Sequence, residues 1–405
     1  MQKMTHPKEP PRSEGCLKSP WLILIIVLLT GIAASLNQFK IPPVMPLLME
    51  AFSQSAGRAG LLMSLFAITG LFLALPAGFI LQKLGYRNTG LIALSSLILG
   101  SGIGALSKGM DILLTSRLIE GAGMSLISVV APAIIAMRFT SEKRGKAMGI
   151  WAIWVPLGST IMFVLAPSLA GYWGWQGVWW FGFLYTICAG FLFHLFIHPD
   201  PGPSSGPSYP APAKDLMELG RVLRNRNLWL ISLLFCCFNF VFIAFITWAP
   251  TFLHQVRHAS LARASHLVSV TTILTIVACP TAGWISDKIG SRKSICLIPP
   301  ILMAFLFPLG SLASENLFLL LAAAIGFIGG FVPTGVFSAG VEVVGDERLG
   351  GMAMAVIQIG QNSGMLLGPL VFGWAVESWG WQAAFWTLTP VSLLGAIAAW
   401  IARMK

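Results

Sequence analysis

GFILQKLGYRN, from Gly78 to Asn88, and GWISDKIGSRK, from Gly283 to Lys293, are two copies of one short pattern set 205 positions apart. Each closes an apolar run, passes through glycine and leaves a small cluster of basic residues. WGWQ recurs in the same way at Trp173 and Trp379, an offset of 206, and Pro46 and Pro250 fall at matching places. Self-similarity at one fixed offset along a chain marks a duplicated structural unit. The chain is therefore expected to fold as two similar halves.

The composition says what solvent those halves face. Of 405 residues 56% are hydrophobic and 10% charged, against about 25% charged in a soluble domain, and the mean hydropathy is +0.79. So few charges cannot cover a soluble surface of this size, and the apolar exterior is expected to lie in lipid. A helix needs roughly 20 apolar residues to cross a bilayer. Such runs lie near 20–49, 58–82, 87–107, 110–137, 146–169 and 176–197, and again near 227–253, 262–286, 291–313, 316–341, 349–374 and 381–402. The expected fold is an all-α membrane protein with twelve transmembrane helices in two six-helix pseudo-symmetric bundles, 20–197 and 227–405. Residues 1–19 read as a cytoplasmic tail, and the Pro/Ser/Gly-rich stretch 198–226 as a cytoplasmic linker.

Net charge is +11, yet the basic residues sit in short loops between apolar runs. That is the pattern of membrane orientation, and no nucleic acid is expected as a partner. Twenty of the 26 Lys and Arg fall on the side of the N-terminal tail, which places both termini in the cytoplasm and the protein in the inner membrane. The six cysteines have no CxxC or Cys/His spacing, so neither a disulfide framework nor a metal site is expected. No phosphate-cradling GxxxxGK[ST] or catalytic constellation is present. The reading is of a non-enzyme without cofactor or metal, driven by an ion or substrate gradient, and a monomer.

From the first apolar run to the last, the chain resembles the major facilitator superfamily. The resemblance rests on the loop signature G-x-x-x-D-[RK]-x-G-R-[RK] between helices 2 and 3. The second copy carries Gly283, Asp287, Lys288, Gly290, Arg292 and Lys293; the first carries Gly78, Lys83, Gly85 and Arg87, with Gln82 in place of the acid. Glycines let helix ends approach closely, a carboxylate suits a facing helix N-terminus, and cations anchor at the lipid surface. Together they are read as a gate latch, weaker in the first half. RLIEGAG from Arg117 resembles the helix-4 motif R-x-x-x-G, and NSGMLLGPLVFG resembles a helix-packing motif of antiporters, found here in helix 11 rather than helix 5. The resemblance implies the major facilitator fold, alternating access and a substrate held between the halves.

Arg117 needs a partner in the membrane. Glu120, three residues on, shares its helical face, either as a structural ion pair or as a proton-coupling pair. In helix 1, SLNQFKIPPVMP sets Asn37, Gln38 and Lys40 in an apolar span that Pro42, Pro43 and Pro46 should kink or break. Lys40 has no acid in its own span; it either meets an anion or snorkels to the surface. Gln358, Gln361, Asn362 and Ser363 form a polar cluster in helix 11, as cavity lining or as helix glue. Asn239 and Thr334 are further lining candidates. Trp151 and Trp154 are read as an apolar wall or as packing, and His254, His258 and His266 as interfacial.

The leading functional expectation is a secondary active transporter, a symporter moving a small organic or inorganic anion by alternating access with proton coupling. WVPLGS in helix 5 and WAPTFL at Trp248 look similar to bacterial anion carriers of the cyanate/nitroimidazole and organic-anion branches. A multidrug efflux antiporter, and a non-transporting receptor on the same fold, are the alternatives.

Overall fold

The computed structural model describes residues 19–74, 76–198, 220, 222–345 and 349–404, leaving aside the side chains of Ser141, Asp287 and Val341. The tail 1–18 and most of the linker lie outside the described residues. The helices are α1 (Pro20–Phe39), α2 (Met45–Ala51), α3 (Ala56–Leu73), α4 (Pro76–Ala105), α5 (Met110–Arg138), α6 (Ser141–Trp151) and α7 (Trp154–Phe196). They continue with α8 (Arg226–Gln255), α9 (Leu261–Ile289), α10 (Arg292–Leu312), α11 (Glu315–Gly329), α12 (Phe331–Val344) and α13 (Gly350–Ile401). Among the described residues ten stretches are long and apolar enough to cross a membrane. Two of these, Glu142–Phe196 and Gly350–Ile401, run to 55 and 52 residues, about twice what a bilayer requires. Each folds back at a single point, so the twelve expected crossings are present, within a few residues of the limits read from hydropathy.

The fold-back points explain why WGWQ is repeated. Gly174 has φ 67° and Gly380 has φ 81°, a left-handed backbone that only glycine adopts without a Cβ penalty. One glycine thus reverses the chain between crossings five and six, and its duplicate does so between eleven and twelve. The two gate signatures use the same device. Gly85 has φ 73° inside α4, where crossing two passes into crossing three, and Gly290 has φ 67° at the end of α9.

Duplication also shows at the face away from the termini, called distal here. Ser55 caps α3 by accepting from the Arg58 amide, and Ser260 caps α9 by accepting from the Arg263 amide, each cap worth about 1 kcal/mol. Arg58 then reaches Asp111 at 2.8 Å and Arg263 reaches Glu315 at 3.1 Å. The same brace, from crossing two to four and from eight to ten, is thus built twice.

The halves meet chiefly along two seams, α3 against α13 and α7 against α9, and α2 with the Pro42–Val44 turn before it also packs against α8. In the first, a Cβ on Gly60 would lie 2.6 Å from the Pro369 carbonyl oxygen, and one on Gly373 would lie 2.6 Å from that of Ala56. In the second, the Thr160 and Thr272 hydroxyls are 2.7 Å apart. Within the second half, Gly360, Gly364 and Gly368 leave room for the Ser232, Cys236 and Phe240 carbonyls of α8. Four-residue spacing of small residues on one face is what lets membrane helices pack backbone to backbone.

Candidate functional site

The proline run of the first crossing does break it. α1 ends at Phe39, Pro42–Val44 form a single 3-10 turn, and α2 resumes at Met45. Proline has no N–H to give the preceding turn, so carbonyls at the end of α1 are freed inside the bundle, where each must find another donor. The guanidinium of Arg117, on α5, supplies it. Nη1 donates to the Asn37 carbonyl at 2.7 Å and Nη2 to that of Gln38 at 3.1 Å, while Nε donates to Leu62 at 2.9 Å. Its remaining bond is to Glu120 Oε2, the partner expected from the i,i+3 spacing.

Glu120 is shared. Its other oxygen, Oε1, lies 2.5 Å from Lys40 Nζ, and Lys40, Arg117 and Glu120 are all fully buried. Lys40 also donates to Asn37 Oδ1 at 2.9 Å and to Ser101 Oγ at 2.8 Å. Three donors therefore have three acceptors, and the ammonium is saturated. The Asn37 amide is fixed in turn by its Nδ2, which donates to Ala33 O at 2.9 Å and Thr186 Oγ1 at 3.0 Å. Trp179 lies against the Lys40 ammonium at 4.8 Å and Phe66 against the Arg117 guanidinium at 4.6 Å, close enough for cation–π attraction.

This overturns the reading of Lys40 as an unpaired charge, and of snorkelling as its alternative. The acid absent from its own span comes from crossing four, which sequence spacing does not reveal. Ser101, Thr186 and Trp179 were not anticipated. The one signal for them is the small-residue run around Gly100 and Gly104 in α4. A Cβ at Gly100 would meet the Glu120 side chain, and one at Gly104 would meet Trp179.

The second half builds the same place differently. Phe245 stands 205 residues after Lys40, and Gly310 and Phe385 stand 206 after Gly104 and Trp179. The Phe245 ring packs on Phe307, Phe318 and Phe385 at centroid distances of 5.6, 5.8 and 6.5 Å. One bundle thus holds an ionic core where its twin holds an aromatic one.

The other candidates are dispersed. Asn362, half-buried, sits at the α3–α13 seam, where a Cβ on Gly70 would lie 2.6 Å from its Oδ1, and its Nδ2 donates to the Gln358 carbonyl at 3.0 Å. Gln358 and Gln361 are half-buried, and Gln361 Oε1 is buried without a hydrogen-bond partner. Asn239 is buried and donates to the Phe235 carbonyl of its own helix at 2.8 Å. Trp151 stacks on Trp154 at 5.3 Å, and Trp154 is buried against Gly31 of α1. Thr334 donates to the Gly330 carbonyl one turn before it and to the Cys279 carbonyl of α9, both at 3.3 Å. His254 contacts the Ala259 carbonyl at 2.8 Å and His266 that of Val164 at 3.4 Å.

In the gate signatures, Arg87 donates to the Ile197 carbonyl at 2.9 Å and meets His194 at 3.3 Å, holding the end of crossing six. Arg292 pairs with Glu342 at 3.2 Å and with Ser286 Oγ at 2.5 Å. The Asp287 carboxylate, the acid of the second signature, lies outside the described side chains. Gln82, Lys83 and Lys288 are exposed at the same face, and Lys288 lies 5.0 Å from the Trp284 ring. Among the described residues no group of three or more His, Cys, Asp or Glu is placed to hold a metal ion.

Twelve crossings in two duplicated bundles, each with a copy of the glycine-and-basic loop signature and the first with a buried ionic cluster, make a multi-pass membrane protein, and its family makes it a transporter and not an enzyme. The chain belongs to the Major Facilitator Superfamily, whose family model matches residues 24–351. It is 20% identical over 391 residues to the hexuronate transporter of Bacillus subtilis, covering 93% of each chain. It is 22% identical over 393 residues to the probable sulfoacetate transporter of Cupriavidus necator, covering 90% of this chain and 89% of that one. A shorter match, 35% identical over 142 residues, joins 33% of the chain to 29% of a putative multidrug resistance protein of Pectobacterium atrosepticum.

Proposed function

We propose that the protein is a proton-coupled carrier of a small organic anion, working by alternating access of the bundles 20–197 and 227–405 across the inner membrane, with both termini in the cytoplasm. The observation that carries this is the buried cluster, in which two cations, Lys40 and Arg117, share the single carboxylate of Glu120. A charged group costs roughly 2.5–3.5 kcal/mol or more at membrane depth. The twin bundle fills the same place with phenylalanines, so packing alone does not require the charges. A proton on Glu120 would loosen both bridges and release an ammonium and a guanidinium, whose combined charge an anion then offsets. Proton and anion therefore favour each other's binding, which is the condition for symport. Gln358, Gln361 and Trp151 are the remaining candidates for substrate contact, and the two relatives that align along nearly their whole length carry names of anion transporters.

The test is uptake into proteoliposomes holding the full chain, with glucuronate and sulfoacetate as probes and a proton gradient imposed. Saturable uptake stimulated by acid on the substrate's side is expected, and Glu120→Gln should flatten the pH profile. Absence of flux or counterflow with any carboxylate or sulfonate overturns the anion reading; a Glu120→Gln profile identical to wild type overturns the coupling role. The second reading, multidrug efflux, draws on the short 35% match and on the ladder of Phe235, Phe238 and Phe242 along α8, at 6.1 and 5.3 Å. Ethidium efflux with no anion flux would select it.

A further inference from the structure

The distal end of the α3–α13 seam holds a contact that packing does not demand. The Gly57 amide, in the first turn of α3, donates to Glu377 Oε2 across the two halves at 3.1 Å. The first N–H groups of a helix lack intrahelical partners and carry partial positive charge. Here one such group is served by Ser55 of its own chain end, whose Oγ accepts from Arg58 at 3.5 Å, and another by a carboxylate from the opposite bundle. The neighbouring cation does not compete for it, because the Arg58 guanidinium is held by Asp111 within the first half. Gly57 is itself fitted to the contact: a Cβ there would stand 2.8 Å from Glu377 Oε2 and 3.7 Å from the Trp374 Cα. Below it, Gly60 and Gly373 bring the two backbones together as described above.

The repeat shows that the contact is special to one seam. Glu377 corresponds, at the 206 offset, to Gly171, and a Cβ at Gly171 would meet nothing within 4 Å. The other seam therefore has no carboxylate at the equivalent place, and is tied instead by Thr160 with Thr272 and by His266 with Val164.

We propose that Glu377 is the distal gate latch: its carboxylate caps α3 only while the two bundles touch at that end, and so biases the transporter toward the distally closed state. The glycine contacts set how near the helices come, while the carboxylate adds a favourable contact that vanishes on opening. Ligand-free bias of this kind is independent of which substrate is carried, so it stands or falls separately from the anion reading.

The experiment uses full-length protein in nanodiscs with its native cysteines replaced, spin-labelled at Ala51→Cys and Ser378→Cys, both exposed at the distal end. Double electron–electron resonance reads the distance between the halves. Glu377→Ala is expected to raise the separated population relative to the closed one by about 5-fold, the size of losing one helix cap, and Glu377→Gln, which keeps an acceptor but loses the charge, to raise it by less. Glu377→Asp should show an intermediate shift, and Glu50→Gln, which removes another exposed distal carboxylate, should show none. Unchanged distance distributions in both Glu377→Gln and Glu377→Ala, with melting temperatures matching wild type, would overturn the latch. An equal shift in Glu50→Gln would overturn it too, since loss of distal charge in general would then be the cause.

Discussion

Lys40 and Arg117 are both buried cations on one carboxylate, yet removing different members of the trio has unequal consequences. Lys40→Ala leaves Arg117 and Glu120 as a matched pair with the carbonyls of Asn37 and Gln38 still served. Glu120→Ala leaves two uncompensated cations in the bundle. Breaking a buried pair in that sense costs about 3–5 kcal/mol, so a thermal-unfolding series in detergent should show Glu120→Ala far less stable than Lys40→Ala. In the anion reading, Lys40→Ala keeps a folded, monodisperse protein that no longer gains stability from carboxylates in a ligand thermal-shift screen. Equal melting temperatures for the two variants would show that the cluster is not coupled as its geometry implies.

At the scale of elements, glycine positions separate close packing from backbone conformation. Gly364 in α13 faces the Cys236 carbonyl of α8 with no room for a methyl group, so Gly364→Ala should cost about 1–3 kcal/mol through forced backbone displacement. Gly380 has open space around it but a φ of 81°. Gly380→Ala should therefore cost about 1–3 kcal/mol by conformation alone. Gly149, inside α6 with nothing near it, is the control: alanine there should be neutral or stabilising by up to about 1 kcal/mol. Chemical denaturation of the three variants checks the order. The duplicated braces, Arg58 with Asp111 and Arg263 with Glu315, are exposed, and removing either should change stability by less than about 1 kcal/mol.

For the whole molecule the two halves are alike in backbone and unlike in core, and the ionic half is the one expected to respond to protons. Asp287→Asn in the second latch signature should shift the balance between states, read by accessibility labelling from both sides of oriented vesicles. Combined with Glu377→Gln, it acts at the opposite end of the bundle. The two effects on the distal distance distribution should oppose each other and add in free energy, as separated sites do. Identical labelling of Asp287→Asn and wild type would remove the proximal latch from this scheme.

The amino-acid sequence by itself determined the crossings, their duplication and the turns, because these depend on local quantities: the length of an apolar run, the absence of a Cβ at Gly174 and Gly380, the missing N–H of Pro42. The Arg117–Glu120 pair was legible for the same reason, since three residues along a helix fix a shared face. Only the tertiary structure decided what became of Lys40. Asn37, three residues before it, is within reach along the helix, but Ser101 and Glu120 lie on crossings three and four, and no spacing along the chain brings those two to it. The same holds for Glu377, whose partner is 320 positions away. In a membrane a buried polar group is costly without a partner inside the protein, and which one it finds is set by how helices distant in sequence are laid side by side.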